Sequence, residues 1–399
     1  MSVRHSRDIF LRARAFAAGE PHIERGRGLA QYKGGGGAYL GQVATRSALP
    51  NTKNASYTQI FSRTIHIMRD APSWIKLEFP NWYLGGSGET AMGGDATIYA
   101  GLEYPLGSTP VRIPFGGLAA GTIPDGQSLL SDALAISIPA GEQFAIKTLY
   151  ENSAGVPYIT VNRNQAAERW QGGTGALTDN TTTSTNPSTL STLAYVPAAI
   201  IGMTRRRTFF FAGDSKVQGQ GDTSGIGLKG ELERSIGGDY AFINACRGGE
   251  GIVGPVTDDY SRRLALSGYC SDVISNYGIN DISAGSSAEL TASRLAEFAE
   301  FFTGKPVHQM TVAPRSASSD GFATVENQTT HGNNAERVEL NSLIRAGIAG
   351  FTGFIELADV VESARDSGLW KAGHTSDGLH ENATGYQAVK DAEILPPSS

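Results

Sequence analysis

Apolar and polar residues alternate with a period of two in several stretches of the first half of the chain. Residues 73–79, 96–104, 134–138 and 144–150 carry apolar side chains at every second position. Sequences typical of tight turns, such as Pro124-Asp125-Gly126, separate these stretches. Short alternating strands between glycine- and proline-rich turns predict an antiparallel β-sandwich or jelly roll.

A polar segment rich in serine and threonine closes this first region. Residues 172–192 show no apolar period and include a run of threonines at 181–183, which indicates a linker or a long surface loop. The strand-like run at 194–203 could belong to either side of it. We therefore predict an accessory β-domain over residues 1–192 and a second domain over residues 193–399.

Strands alternate with helices in the second half. The unalternating apolar run at 208–212 predicts a strand covered on both faces, and four further strands are predicted at 240–245, 272–275, 307–312 and 354–357. The segments between and after them carry helical periodicity, most clearly at 334–348 and 383–394. This order predicts an α/β fold with a parallel sheet, helices on both faces, and an active site at the carboxyl ends of the strands.

Two of the predicted helices have defined apolar faces. Ser286 and Glu289 have the spacing of a capping box and predict a helix start. The buried face of that helix carries Leu295, Phe298 and Phe302. The buried set predicted for the helix at 334–348 consists of Val338, Leu340, Leu343, Ile344 and Ile348.

Composition narrows the possible partners and the environment. A chain of 399 residues with 18% charged residues suits two folded domains, and its net charge of −6 gives no attraction for nucleic acid. No apolar run reaches membrane-spanning length, and the N-terminus lacks the apolar core of a signal peptide, so localisation stays open. Cys246 and Cys270 are too few for a disulfide framework and are expected to be free.

Four short motifs follow the predicted strands of the second half in this order: Gly213-Asp214-Ser215, the glycine block 244–249, Gly278-Ile279-Asn280-Asp281 and Asp377-Gly378-Leu379-His380. A serine hydroxyl becomes a nucleophile when a histidine takes its proton and an acid orients that histidine. The reaction also needs hydrogen-bond donors for the oxyanion of the intermediate. The four motifs together contain residues of each type.

This ordered set resembles the SGNH hydrolases, also called the GDSL esterase/lipase family, over about residues 205–399. The resemblance implies a three-layer α/β/α fold with a flavodoxin-like sheet. It implies Ser215 as nucleophile, His380 as general base and acid, and Asp377 as the orienting acid. It also implies an oxyanion hole formed by Ser215, Asn280 and a glycine, for which Gly249 is preferred and Gly248 is the alternative.

The expected function is therefore a serine carboxylic-ester hydrolase that needs no metal and no organic cofactor. Because relatives with an added β-sandwich resemble carbohydrate esterases, we expect a short acyl group, foremost acetyl, on a small ester or an acylated saccharide. The alternatives are a lipase or thioesterase acting on longer acyl chains, and a bacterial, phage- or prophage-associated polymer-binding protein with a hydrolase domain. Taken singly, each motif could also be an ordinary turn or a helix cap.

Overall fold

The computed structural model describes residues 37–86, 88–159, 168–190, 194–223 and 227–395. The first 36 residues of the predicted β-domain and the end of its polar segment lie outside the described residues. The strands of the first half are β1 Tyr39–Gln42, β2 Ser47–Ala48, β3 Thr52–Asn54, β4 Gln59–Ile67, β5 Trp74–Pro80, β6 Trp82–Gly85, β7 Gly88–Ala91, β8 Ala96–Glu103, β9 Val111–Ile113, β10 Ala120–Ile123, β11 Ser128–Leu130, β12 Leu134–Ala135, β13 Gln143–Glu151, β14 Val156–Tyr158, β15 Arg169–Gly173, β16 Thr189–Leu190 and β17 Ala199–Thr204.

Strands and helices alternate after residue 207. In chain order they are β18 Thr208–Ala212, α1 Ser215–Gln218, α2 Gly230–Ile236, β19 Ala241–Asn244, α3 Val253–Thr257, α4 Ser261–Ser267, β20 Asp272–Ser275, α5 Ile279–Ser283, α6 Ala288–Ala299, a 3₁₀ turn Glu300–Phe302, β21 Val307–Met310, β22 Ser316–Ser318, β23 Gln328–Thr330, α7 Asn334–Ala346, β24 Gly353–Ile355, α8 Ala358–Val361 and α9 Ala383–Asp391.

Two antiparallel sheets make up most of the first half. One has the order β1-β17-β5-β11, with β12 also paired to β5, and the other has the order β10-β8-β13-β4-β15-β16, with β9 on β8. Ile75, Leu77 and Phe79 of β5 are fully buried and share one apolar core with Ile98 of β8 and Phe144 of β13. The period-two alternation therefore marked strands whose apolar sides face a common interior. The jelly-roll topology stays a prediction.

The second half is built on a parallel sheet of order β2-β19-β18-β20-β21-β24. The five strands of this sheet that follow residue 207 have the order 2-1-3-4-5, which is the flavodoxin-like order. Phe209 and Phe211 of β18 pack in one apolar cluster with α2 and α9, whereas Phe210 and Ala212 pack in another with α6 and α7. Both faces of β18 are covered, which explains why its sequence is apolar without alternation.

Each half of the chain contributes a strand to a sheet of the other half. β17, which lies after the predicted boundary, pairs antiparallel with β1 and β5. β2, from the first half, pairs parallel with β19 at the edge of the parallel sheet. The boundary between residues 192 and 193 stays a prediction, but the two regions are joined by strand pairing in both directions.

The polar segment after β15 is held against the antiparallel strands. Arg112 on β9 donates to Thr181 Oγ1 at 2.6 Å and pairs with Asp179 at 2.7 Å. The Lys147 amine on β13 donates to the Thr183 carbonyl at 2.7 Å. This loop is therefore held by a threonine hydroxyl, a carboxylate and backbone carbonyls, although its composition carries no apolar signal.

The helix predicted from the capping box begins one residue later than expected. Ser287, not Ser286, is the N-cap of α6 and accepts the Leu290 N–H at 3.2 Å. The Ser286 N–H is already bonded to the Asp281 carbonyl at 3.0 Å, which ties Ser286 to the preceding helix. The predicted apolar face is confirmed, since Leu295, Phe298 and Phe302 are buried.

The buried face of α7 is only partly apolar. Leu340 and Ile344 are buried as predicted, whereas Val338, Leu343 and Ile348, which were also predicted to be buried, are half-buried. Arg337 and Asn341 are buried instead, and both bond to the carbonyl of Val312.

Both cysteines are buried and free. Burial raises the pKa of the Cys270 thiol to about 12. No helix in the described ranges is long and apolar enough to cross a membrane.

Candidate active site

Ser215 is presented by a short turn at the carboxyl end of β18. Gly213 comes directly after the strand, and a Cβ at this position would lie 1.7 Å from Asn276 Oδ1, so only glycine fits. Asp214 is the N-cap of α1, and its Oδ1 accepts the Lys216 N–H at 3.0 Å. The Asp214 N–H in turn donates to Asn276 Oδ1 at 3.0 Å. The Gly-Asp-Ser sequence is thus the strand end, the cap and the first residue of the helix.

A continuous chain of hydrogen bonds joins Ser215, His380 and Asp377. Ser215 Oγ lies 2.8 Å from His380 Nε2, and His380 Nδ1 lies 2.7 Å from Asp377 Oδ2. The serine and histidine are 7% and 8% exposed, so both remain accessible at the sheet edge. With Nδ1–H donated to Asp377, Nε2 is free of a proton and can accept one from Ser215.

The turn that carries Asp377 and His380 is fixed from inside by Thr375 and Gly378. The Gly378 N–H donates to Thr375 Oγ1 at 2.9 Å, and Thr375 Oγ1 donates to the His380 carbonyl at 2.6 Å. Gly378 has a φ of +75°, and a Cβ there would lie 1.9 Å from the Ser316 carbonyl oxygen. The glycine of Asp-Gly-Leu-His is required both by its backbone conformation and by this close approach.

Asp377 is held in its charged form by His380. Partial burial acts to raise the pKa of this carboxyl, but hydrogen bonds from the His380 side chain and from the backbone N–H groups of His380 and Leu379 outweigh it, so the pKa lies well below its ordinary value. The carboxylate is 55% exposed on its outer side. It therefore stays ionised across the range in which a histidine base operates.

The glycine block after β19 forms a turn, and one of its residues lies close to Ser215. The Glu250 N–H donates to the Arg247 carbonyl at 3.1 Å, and Gly249 has a φ of +74°, which is the third position of a type II turn. A Cβ at Gly248 would lie 3.7 Å from Ser215 Cβ, whereas one at Gly249 would meet no atom within 4 Å. Gly248 is thus the residue whose α-carbon faces the serine, and Gly249 gives the turn its shape.

Asn280 lies at the start of α5 and links this turn to the nucleophile turn. Its Nδ2 donates to the Glu250 carbonyl at 3.0 Å and lies 3.4 Å from Asp214 Oδ2. The neighbouring Asp281 accepts the Ile252 N–H at 2.8 Å and so caps the segment that leaves the glycine turn. Gly278, with a φ of +141°, allows α5 to approach the Val312 side chain, where a Cβ would lie 2.8 Å away. All residues of Gly-x-Asn-Asp except the variable one therefore have a geometric role.

A group of buried charges beneath Ser215 was not found from the sequence. Lys216 lies 3.4 Å from Glu381 and 4.9 Å from the centre of the Trp370 ring. Glu231 Oε2 accepts the Asn276 Nδ2–H at 3.2 Å, and Asn276 also holds Asp214. Burial, followed by the negative charge of Glu381, raises the pKa of Glu231 well above its ordinary value, which favours its neutral form.

A second buried network connects the β6–β7 hairpin to the glycine turn. Glu89 of β7 accepts the backbone N–H groups of Arg262 and Arg263 at 2.9 and 2.8 Å. The Arg263 guanidinium binds both oxygens of Glu250 at 2.7 and 3.1 Å, and Tyr277 donates its hydroxyl to the same carboxylate at 2.7 Å. Arg263 thereby fixes Glu250, whose carbonyl holds Asn280.

A cleft of about 920 Å³ opens beside the nucleophile turn. Residues 218–223 and 247–248 line one side of it, and residues 51–53 and 83–86 from the first half of the chain line the other. Neither lining segment of the first half carries a recognisable site motif, so these residues could not be assigned to the cleft from the sequence.

No protein-family model matches the chain, and none of the curated proteins does. Among solved structures, the chain is similar to a member of the lipolytic protein G-D-S-L family from Veillonella parvula at 17% identity and a TM-score of 0.36, over 47% of this chain and 95% of that one. It is also similar to a variant of an acetyl xylan esterase from Geobacillus stearothermophilus at 15% identity and a TM-score of 0.34, over 48% of this chain and 97% of that one. A Bacillus subtilis protein is similar at 14% identity and a TM-score of 0.36, over 83% of this chain and 79% of that one. TM-scores this low do not support an inference about function. Over just under half of its length, the chain resembles G-D-S-L lipolytic structures.

Proposed function

We propose that this protein is a serine esterase that forms an acyl-enzyme and removes short acyl groups, foremost acetyl, from a saccharide. The observation that carries the proposal is the hydrogen-bonded chain from Ser215 Oγ through His380 to Asp377, with distances of 2.8 and 2.7 Å. The resemblance of the four motifs to SGNH hydrolases supports the same assignment.

In the acylation step, Ser215 Oγ attacks the ester carbonyl carbon while its proton passes to His380 Nε2. Asp377 holds the imidazole and stabilises its charged form. The Ser215 N–H, Asn280 Nδ2 and a glycine N–H of the 247–250 turn donate to the oxyanion, with Gly249 as our assignment and Gly248 as the alternative. The intermediate collapses when the ester C–O bond breaks and the leaving alkoxide takes the proton from His380.

Water completes the reaction on the acyl-enzyme. His380 takes a proton from the water as its oxygen attacks the acyl carbon, and returns that proton to Ser215 Oγ when the bond to the serine breaks. The products are a carboxylic acid and an alcohol, and every proton is carried by residues of this chain. The proposal needs no metal or organic cofactor.

We further propose that residues 193–399 form an SGNH hydrolase domain and residues 1–192 an accessory β-sandwich of jelly-roll type. The flavodoxin-like order of the five strands after residue 207 and the helices on both faces support the first assignment. The shared core of the two antiparallel sheets supports the second.

The direct test is the Ser215→Ala variant with p-nitrophenyl acetate. We expect kcat/KM to fall by at least about 10³-fold, because the nucleophile is removed while the oxyanion donors remain. Ser319→Ala, at an exposed serine, is the matched control and is expected to keep full activity. Intact-mass measurement after treatment with an alkyl fluorophosphonate should show one phosphonyl adduct in the wild type and none in Ser215→Ala. Undiminished turnover by Ser215→Ala would sink the assignment.

A chain-length series of p-nitrophenyl esters tests the acyl specificity. We expect acetyl to be the best substrate and octanoyl to be at least about tenfold worse in kcat/KM, since a short-chain site offers no extended apolar surface. A preference for octanoyl or longer chains would instead favour a lipase or thioesterase.

A further inference from the structure

The cleft beside Ser215 is lined by both halves of the chain. Two of its lining residues lie at the end of α1, the helix that begins at Ser215. Gln218 is the last residue of this helix, and Gly219 is its C-cap. Gly248 also lines the cleft, and a Cβ built on it would lie 3.7 Å from Ser215 Cβ. A group bound in this cleft is therefore next to the serine oxygen that the proposed function uses as nucleophile.

The residues that line the cleft are mostly polar and offer little apolar surface for an acyl chain. Among the described residues that line the cleft, Leu84 is the only one with an aliphatic side chain, and it is 1% exposed. The other aliphatic groups are the stems of longer polar side chains. The other side chains are amides, hydroxyls, two cations, one carboxylate and Tyr83, and glycines expose backbone. Apolar ligands bind where apolar side chains surround them, whereas a ligand with many hydroxyl groups needs donors and acceptors of this kind.

Tyr83 supplies a flat aromatic surface to the cleft. In β6, Trp82 and Leu84 are buried, whereas Tyr83 and Gly85 point to the opposite face and are half-exposed. Because Gly85 has no side chain, the Tyr83 ring lies over it, and a Cβ there would be 3.2 Å from Tyr83 Cε2. A ring beside two glycines, Gly85 and Gly86, leaves an open platform on which the C–H face of a pyranose can stack.

The platform is held in place relative to the nucleophile turn. Arg247, directly before Gly248, donates through Nη1 to the Gly85 carbonyl. The Leu84 N–H donates to the Pro50 carbonyl at 2.8 Å, which fixes the hairpin to the segment that carries Lys53. The distance from Tyr83 to the site is thus set by direct bonds between the two halves rather than by a connecting segment.

We propose that this cleft binds the saccharide part of an acylated saccharide, with one sugar ring stacked on Tyr83 and its acyl group directed to Ser215. The proposal rests on the proposed function and adds to it a subsite, contributed by the first half of the chain, that determines specificity. Arg247 and Lys53 offer N–H donors to the hydroxyl and ring oxygens of the sugar.

The test compares two acetyl esters that differ only in the alcohol. One is partially O-acetylated xylotriose, and the other is ethyl acetate, which has no ring to stack (p-nitrophenyl acetate is unsuitable because its ring can also stack on Tyr83). In Tyr83→Ala we expect kcat/KM for the acetylated trisaccharide to fall at least about tenfold, and that for ethyl acetate to stay within about twofold. Tyr83→Phe, which keeps the ring, should retain most of the saccharide activity.

A second variant blocks the platform without removing any contact. Gly86 has no left-handed φ, and a Cβ there meets no atom within 4 Å, so Gly86→Phe places its ring in the open cleft without backbone strain. It should lose saccharide activity as Tyr83→Ala does and keep ethyl acetate activity. Tyr99→Ala, at a half-buried tyrosine of β8 outside the cleft, is the control for loss of an aromatic residue and should behave as wild type.

Equal losses on both esters in Tyr83→Ala and Gly86→Phe, or no loss on either ester, would overturn the subsite. These results differ from a failure of the proposed function, in which Ser215→Ala keeps its activity on ethyl acetate. A wild type inactive on the trisaccharide but active on ethyl acetate, with Ser215→Ala inactive, would likewise overturn the subsite and leave the esterase assignment standing.

Discussion

Beneath Ser215, the carboxyls of Asp214, Glu231 and Glu381 share a buried space with one amine, that of Lys216. Three carboxylates cannot all be charged there beside one cation, because each extra buried charge lacks compensation. Burial and the charge of Glu381 raise the pKa of Glu231, and Lys216 lowers it by less. Glu231 is therefore the group that keeps its proton.

This protonation makes stability depend on pH in a defined direction. A carboxyl whose pKa is higher in the folded state binds its proton more tightly there, so its contribution is complete below the unfolded pKa and is lost as pH rises through the folded pKa. In Glu231→Gln a neutral amide replaces the protonated acid and has no proton to lose. We expect the Tm of Glu231→Gln to exceed that of the wild type by a margin that grows between about pH 5 and pH 9.

Thermal melts across this pH range measure the difference. Glu326→Gln, at an exposed glutamate, controls for the change in net charge and should follow the wild type. A Glu231→Gln variant that is less stable than the wild type by the same amount at every pH would contradict a protonated Glu231.

The sequence predicted the residues in contact with Ser215 but not those that support them. Asp377 and His380 lie on one turn, so their spacing alone brings a carboxylate to the imidazole. Glu381 is the next residue and is fully buried, yet its partner Lys216 is 165 positions away. A single buried carboxylate produces no periodic pattern in the sequence. Its position depends on an ion-pair partner that is distant along the chain and comes close only in the folded protein.

At the level of elements, the 247–250 turn depends on a buried arginine that belongs to a different element. Arg263 of α4 donates through Nη1 and Nη2 to Glu250 and through Nε to Glu89 of β7. Glu250 in turn presents its carbonyl to Asn280. The position of two predicted oxyanion donors is thus determined by one ion pair.

Glu250→Gln should weaken both the fold and the positioning of Asn280. Loss of one charge from a buried pair costs about 3–5 kcal/mol of unfolding free energy. We also expect kcat for p-nitrophenyl acetate to fall roughly 10–100-fold with little change in KM, because the displaced donors act mainly in the transition state.

The matched control for this variant is Glu362→Gln. Glu362 is a buried carboxylate paired with Arg337 at 2.6 Å, away from the glycine turn. It should lose a similar amount of stability while the folded enzyme keeps its kcat. Equal kcat values for the two variants would contradict the positioning role of Glu250.

The elements themselves were largely predictable, and their departures have local causes. The apolar face of α6 follows from its period, but its first residue depends on the bond between Ser286 and Asp281, which periodicity does not contain. In α7, Arg337 and Asn341 are buried because they bond to the backbone of Val312, which lies two residues past the end of β21. Asn341 accepts the Val312 N–H at 2.6 Å, so these two polar positions are buried for a reason that hydrophobic periodicity does not contain.

For the whole molecule, the contact between the two halves is part of the core. Leu49, Trp82 and Leu84 of the first half are buried in the same apolar cluster as Phe210 and Ile243 of the parallel sheet. The sequence could not show this, because an apolar residue in a strand does not indicate which sheet it faces. At about 1.5–3 kcal/mol for each buried side chain, these three contribute on the order of 5–9 kcal/mol. That is comparable to the whole stability of a typical domain, about 5–15 kcal/mol.

A fragment of residues 193–399 is therefore expected not to fold cooperatively. It also lacks Arg46, whose Nε–H donates to the Gly227 carbonyl at 2.8 Å from a fully buried position. Circular dichroism should show a broad melt, and the fragment should lack esterase activity. Adding residues 1–192 as a separate chain should restore part of both. A sharp melt and full activity of the fragment alone would instead mean that residues 193–399 are an independently folding domain.

The strand Ser47–Ala48 has a consequence beyond stability. It lies on the outer side of β19, where a parallel sheet would otherwise end in unpaired N–H and C=O groups. Such an open edge is a template for another molecule, and exposed apolar strands of this kind lead to aggregation. Ser47 and Ala48 therefore cover part of that edge, and a strand this short offers little template for pairing with a copy of the sheet that carries Ser215.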